Sequence, residues 1–146
     1  MKIVTGSDHG GLNLKRVLVE RLRGQGHEVL DVGTHESASC DYPDYAATVA
    51  RSVAAGEADF GLLVCGTGQG MAMSANRIPG VRAAVVGDTF TAKATRQHND
   101  ANVLCLGERV IGAGLAAEIL DAFLGGSFEG GRHAGRLAKM AALGNP

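Results

Sequence analysis

A three-layer α/β domain, with a five-stranded parallel sheet flanked by helices, is the fold class this sequence predicts. Three observations carry it. Apolar runs of strand length recur five times, segments of helical periodicity separate most of them, and glycines fall mostly where apolar runs end. The 146 residues suffice for one domain with a substantial core, so residues 1–146 are expected to form a single unit.

The first strand, Ile3 to Thr5, starts almost at the N-terminus. A helix follows, with Leu14, Val17, Leu18 and Leu22 as its expected core face and Gly24 and Gly26 closing it. Glu28 to Val32 is the second strand. The second helix turns Ala46, Val49, Ala50 and Val53 inward, with Tyr42-Pro43 near its start and Gly56 at its end. Phe60 to Cys65 is the third strand, and the small residues Met71 to Asn76 form a helical segment after it. Arg82 to Val86 and Asn102 to Leu106 read as the last two strands, on either side of a short helix from Thr91 to His98. Leu115 to Leu124 reads as a longer helix ending at Gly125-Gly126, and Arg132 to Leu143 as a sixth.

This order describes a Rossmann-like sheet, in which ligands bind beyond the carboxyl ends of the strands. The residues there are Ser7 to Gly11, Gly33 to His35, Cys65 to Gly70, Gly87-Asp88 and Gly107 to Arg109.

Composition narrows the partners. With 14 basic against 15 acidic residues and a formal net charge of −1, no overall field favours nucleic acid or an anionic membrane. The three cysteines, at 40, 65 and 105, form no C-x-x-C pair and share no metal-type spacing with the five histidines, so neither a disulfide framework nor a zinc site is indicated. The N-terminus lacks a signal-peptide pattern and no apolar run reaches membrane-spanning length. The expected compartment is the cytoplasm, where thiols stay reduced.

The most informative stretch is Cys65-Gly66-Thr67-Gly68-Gln69-Gly70, between a strand and a helix. Its glycines let successive backbone N–H groups turn toward one point, and the next helix adds its positive end, so a phosphate, carboxylate or enolate oxygen is favoured there. The same field favours a thiolate, which makes Cys65 a candidate base or nucleophile; the alternative is a small buried strand residue. The loop has no G-x-x-x-x-G-K-[ST], and its G-x-G-x-G spacing departs from the dinucleotide fingerprint. Asp88 lies about 20 residues beyond Gly68, where a ribose-binding acid would fall, and keeps that reading open. A cysteine phosphatase would need an arginine where Met71 stands.

Asp8-His9 follows the first strand, either as an N-cap or as a ligand-facing pair. His98 ends a helix and belongs to a residue type that transfers protons near neutral pH; interaction with the helix dipole is the simpler role. Arg132 and Arg136, four apart, share a helix face as solvated charges or as a phosphate clamp, with His133 on the same surface and Arg109 as a third cation. Cys40 and Cys105 read as structural, and His27 and His35 as solvent-exposed.

Together, Ser7-Asp8-His9-Gly10-Gly11, Asp41-Tyr42-Pro43, Cys65 to Met71, Arg96-Gln97-His98-Asn99-Asp100 and Glu129-Gly130-Gly131-Arg132-His133 closely resemble type B ribose-5-phosphate isomerase, across almost the whole chain and in the same order. This family includes galactose-6-phosphate and allose-6-phosphate isomerases. The resemblance implies a metal-free, cofactor-free isomerisation of ribose 5-phosphate and ribulose 5-phosphate through a cis-enediolate. In it Cys65 is the base, Thr67 moves a proton between O1 and O2, and backbone N–H groups of Gly66 to Gly70 hold the oxyanion. His98 would open the furanose ring. Asp8 and Asn99 would contact the sugar, His9, Arg109, Arg132 and Arg136 the phosphate, and Tyr42 and Gln69 would also bind the substrate. Relatives that lack the cysteine carry a glutamate just after the loop; Met71 stands there, which fits the cysteine branch.

The resemblance further implies a homodimer or homotetramer with sites shared between subunits, the segment at about 132–143 lying at the interface. Retention of the cysteine, the histidine and both C-terminal arginines points to a self-sufficient homo-oligomer. Two alternatives stay open: an isomerase of a four- or six-carbon aldose phosphate, and a noncatalytic module that binds a sugar phosphate or nucleotide.

Overall fold

The computed structural model describes residues 1–144. Five strands form one wholly parallel sheet: β1 (Lys2–Ser7), β2 (Glu28–Asp31), β3 (Phe60–Cys65), β4 (Ala83–Val85) and β5 (Val103–Gly107). Their order is β2-β1-β3-β5-β4. Six helices join or follow them: α1 (Leu12–Gly24), α2 (Tyr42–Ala54), α3 (Gln69–Ala75), α4 (Thr89–Asn99), α5 (Ala113–Leu124) and α6 (Arg132–Ala142). A single 3-10 turn, His9–Gly11, precedes α1.

Strand side chains alternate between two cores, as the period of two requires. On one face Ile3, Leu62, Val64, Leu104 and Leu106 meet Leu14, Leu18 and Leu22 of α1 and Ile119, Leu120 and Phe123 of α5. On the other, Val4, Leu63, Cys65, Val103 and Cys105 meet α2 through Ala46, Val49 and Val53, and α3 through Met71 and Ala75. Cys65 therefore faces the α2/α3 layer.

Local departures from the sequence reading have identifiable causes. Val17 is 47 % exposed and not part of the core. At 100° per residue it lies about 115° around the helix from the centre of the face that buries Leu14, Lys15, Leu18 and Leu22. The fourth helix starts at Thr89 because Asp88 caps it, accepting from the Thr91 N–H at 2.7 Å and the Thr91 hydroxyl at 2.9 Å. That engagement holds the Asp88 carboxyl below its ordinary range and explains the residue without a ribose. His27 is half-buried, its Nδ1 lying 3.4 Å from the N-terminal amine. Among the described residues no helix is long and apolar enough to cross a membrane.

Candidate active site

Strand order reverses between β1 and β3, one leading outward to β2 and the other to β5 and β4. Such a reversal opens a crevice at the carboxyl ends of the two central strands. Two turns occupy it, Asp8 to Gly11 and Cys65 to Gly70. They touch closely, for a Cβ on Gly11 would lie 2.4 Å from the carbonyl carbon of Val64. Asp8 caps the first turn, its Oδ1 accepting from the Gly10 N–H at 2.9 Å.

Cys65 ends β3 and is 4 % exposed. Its Sγ accepts the backbone N–H of Gly68 at 3.0 Å, a contact formed because Gly68 turns the chain at φ +81°. Thr67 is exposed, its Oγ1 accepting from the Gln69 N–H at 3.3 Å. The turn after β5 is tied to this loop by Glu108 N–H to the Cys65 carbonyl at 2.9 Å and Arg109 N–H to the Gly66 carbonyl at 3.0 Å. The Arg109 guanidinium accordingly lies over the glycines: a Cβ on Gly66 would meet its Nη1 at 3.0 Å, and one on Gly10 would meet Nη2 at 3.6 Å and the Gly66 N at 3.3 Å. Gly66, Gly10 and the guanidinium thus make a cationic corner at the residue that follows Cys65, suited to an anion.

Two further residues close this edge. His9 is half-buried, and its Nδ1 accepts the backbone N–H of Cys40 at 3.2 Å. The Tyr42 ring lies against Gly70, so closely that a Cβ there would be 2.5 Å from it. Asp8, His9, Tyr42, Arg109 and the whole run from Cys65 to Gly70 therefore gather at the carboxyl edge of the sheet.

His98, Asn99, Arg132 and Arg136 gather elsewhere. His98 and Asn99 stand on the last turn of α4, where His98 is exposed and Asn99 also reaches the surface. Arg96 pins that turn, donating to Asp100 Oδ1 at 3.0 Å and to the Ala101 carbonyl at 2.7 Å while its guanidinium lies against the Phe60 ring. The chain then enters β5 at the sheet's amino edge, where the Asn102 carbonyl accepts from the Gly61 N–H at 2.9 Å. Since Gly107, at the far end of β5, pairs with Cys65, the length of β5 separates the two groups within one chain. That is roughly 13 Å at ~3.3 Å per residue. The start of α6 packs under α4, with Glu129 N–H on the Gln97 carbonyl at 3.0 Å and the His133 ring stacked on His98 at 4.6 Å between centroids. Arg132 and Arg136 are exposed one turn apart on α6.

His98, Glu129 and His133 bring three potential ligand atoms within 4.8 Å of one another. The two rings are only 17° from parallel, however, and a metal ion sits in the plane of each imidazole it binds, so this geometry suits stacking rather than chelation. Cys105 is fully buried, and burial followed by the neighbouring Cys65 pushes its thiol well above the ordinary range, which leaves it inert.

One support of the site carries no sequence signal. Lys15 is fully buried, its Nζ donating to Asp31 Oδ1 at 2.7 Å and to the Thr34 carbonyl at 2.6 Å. The same Asp31 oxygen accepts the Gly33 N–H at 2.9 Å. This network fixes the exit of β2, which begins the loop that reaches His9 through Cys40.

Among known proteins, the family described as Ribose/Galactose Isomerase matches residues 3–140. The ribose-5-phosphate isomerase B of Escherichia coli is 49 % identical over 142 residues, covering 97 % of this chain and 95 % of that protein. The Clostridium thermocellum ribose-5-phosphate isomerase B structure superposes with a TM-score of 0.96 at 52 % identity, covering 97 % of this chain and 95 % of the other. The Mycoplasma genitalium enzyme with bound ribulose-5-phosphate gives a TM-score of 0.92 at 44 % identity, over 96 % and 93 % of the two chains.

Proposed function

Since the chain belongs to the ribose/galactose isomerase family and is an aldose–ketose isomerase, we propose that it interconverts ribose 5-phosphate and ribulose 5-phosphate with Cys65 as the base. The observation that carries this reading is the sulfur of Cys65 held by the Gly68 N–H at 3.0 Å, in the same loop whose Gly66 lies under the Arg109 guanidinium. A sugar C2–H is a very weak acid, so its removal needs both a placed base and donors for the charge that develops. The thiolate takes the C2 proton and returns it to C1. Thr67 passes a proton between O1 and O2, and backbone N–H groups of the Gly66 to Gly70 loop hold the enediolate oxygens, each such donor typically worth about 3 kcal/mol in the transition state.

The furanose must open before C2 can react, and His98 is the acid that opens it. Asp8, Tyr42, Gln69 and Asn99 contact the sugar hydroxyls. His9, Arg109, Arg132 and Arg136 take the phosphate, whose binding energy fixes C1 and C2 against the sulfur. Because His98, Asn99, Arg132 and Arg136 lie at the opposite sheet edge from Cys65, a complete site draws them from a second copy of the chain. A homodimer, or a tetramer built from it, meets that need, with α6 at the interface. The enzyme works in the cytoplasm, where Cys65 stays reduced.

The test is conversion of ribose 5-phosphate followed by NMR, with wild type and Cys65→Ala side by side and no added metal. Wild type is expected to form ribulose 5-phosphate, and the variant to lose about 10²–10⁴-fold in rate. Thermal stabilisation by the sugar phosphate without turnover would instead mark a binding module, and turnover of a four- or six-carbon aldose phosphate alone would overturn the five-carbon substrate.

A further inference from the structure

Resting on the reading of His98 as the ring-opening acid, we propose that His133 is its positioning residue. Its flat face sets the plane in which the His98 imidazole meets the furanose oxygen. His98 is exposed at the end of α4, where among the described residues no hydrogen bond holds its ring. The restraint comes from α6. His133 is 5 % exposed although its neighbours Gly131, Arg132, Ala134, Gly135 and Arg136 are all exposed. Its ring lies face to face with that of His98, at 4.6 Å between centroids and 17° between planes.

The setting of His133 makes it a platform rather than a second acid. Burial first, and then the charges of Arg132, His98 and Arg136, disfavour a proton on its ring, with only the Glu129 carboxylate, 3.8 Å from Nε2, pulling the other way. The His133 ring therefore offers His98 an uncharged flat face and not a second proton donor. Nε2 of His133 has no hydrogen-bond partner among the described residues, so stacking is the contact that links it to the acid. One helical turn, the start of α6, thus presents the phosphate cation Arg132 and orients the ring-opening histidine together.

The test compares His133→Ala and His133→Phe with wild type and His98→Ala in two assays. The first is conversion of ribose 5-phosphate, which starts from the furanose. The second is solvent-deuterium exchange into C1 of ribulose 5-phosphate. That ketose is open-chain because its 5-oxygen is esterified, so the exchange needs Cys65 but no ring opening. His133→Ala and His98→Ala are expected to lose about 10- to 100-fold in the first assay while keeping the second within about 3-fold. His133→Phe, which keeps a flat face and cannot titrate, is expected to retain both. Equal loss in both assays for His133→Ala, full activity in both, or a loss in His133→Phe as large as in His133→Ala would each overturn the proposal. Wild type inactive in both assays would overturn the ribose 5-phosphate reading on which it rests.

Discussion

The backbone N–H of Cys40 donates to Nδ1 of His9 at 3.2 Å, so this nitrogen carries a lone pair and the proton of the neutral ring sits on Nε2. A loop that approaches from β2 thereby sets the tautomer of a histidine at the carboxyl edge of the sheet. Nitrogen-15 NMR of the neutral ring is expected to show His9 with Nε2 protonated and Nδ1 bare. A spectrum with the proton on Nδ1 would contradict the assignment.

Gly70 and Tyr42 form a second specific pair, because a Cβ at position 70 would lie 2.5 Å from the tyrosine ring. The ring is 41 % exposed and can swing into solvent, so Gly70→Ala is expected to leave thermal stability nearly unchanged. Activity is expected to suffer, with kcat/KM for ribose 5-phosphate falling about 10-fold as a sugar-contacting wall is lost. A variant with unaltered kinetics would remove Tyr42 from the site.

The buried Lys15 can be tested through stability. Lys15→Met leaves Asp31 and the Thr34 carbonyl without their shared cation, a loss typically worth about 3–5 kcal/mol for a buried pair. Urea unfolding measures it. Replacing Asp31 as well is expected to recover part of the loss, since no unpaired carboxylate then remains. A single variant within about 1 kcal/mol of wild type would show that the network contributes little.

His133 also predicts a pH dependence of stability. Burial first, then Arg132 and His98, holds its ring below the ordinary histidine value. In the unfolded chain the same ring protonates near pH ~6.5. Just below that pH the unfolded state binds a proton that the folded state resists, so stability falls as the pH drops from about 7 toward 5. His133→Phe is expected to flatten this slope. An unchanged slope would mean that the folded ring titrates as it does in the unfolded chain.

Much of this architecture is legible in the sequence because run length and alternation report directly on burial. The strand Phe60 to Cys65 coincides with β3, and the glycine run after it marks the turn at the sheet's carboxyl edge. The opposed placement of His98 and Cys65 follows from connectivity, since a helix joining two parallel strands must end where the next strand begins. Lys15 is a different case. A lysine on an amphipathic helix ordinarily reads as a surface residue, and only the folded chain brings Asp31 and the Thr34 carbonyl to it. His133 escapes for a similar reason: its motif is visible, but its burial against His98 depends on how α6 packs under α4.

The most direct test of a shared thiolate-base site is to mix two impaired variants, Cys65→Ala and His98→Ala, after dissociating and reassembling them together. In a mixed dimer one site carries both lesions and the other carries neither. Random reassembly of equal amounts is expected to restore about a quarter of wild-type activity, since half the dimers are mixed and each has one intact site. A mixture no more active than its components, with mixed dimers demonstrated by mass, would show that Cys65 and His98 do not act together across two chains.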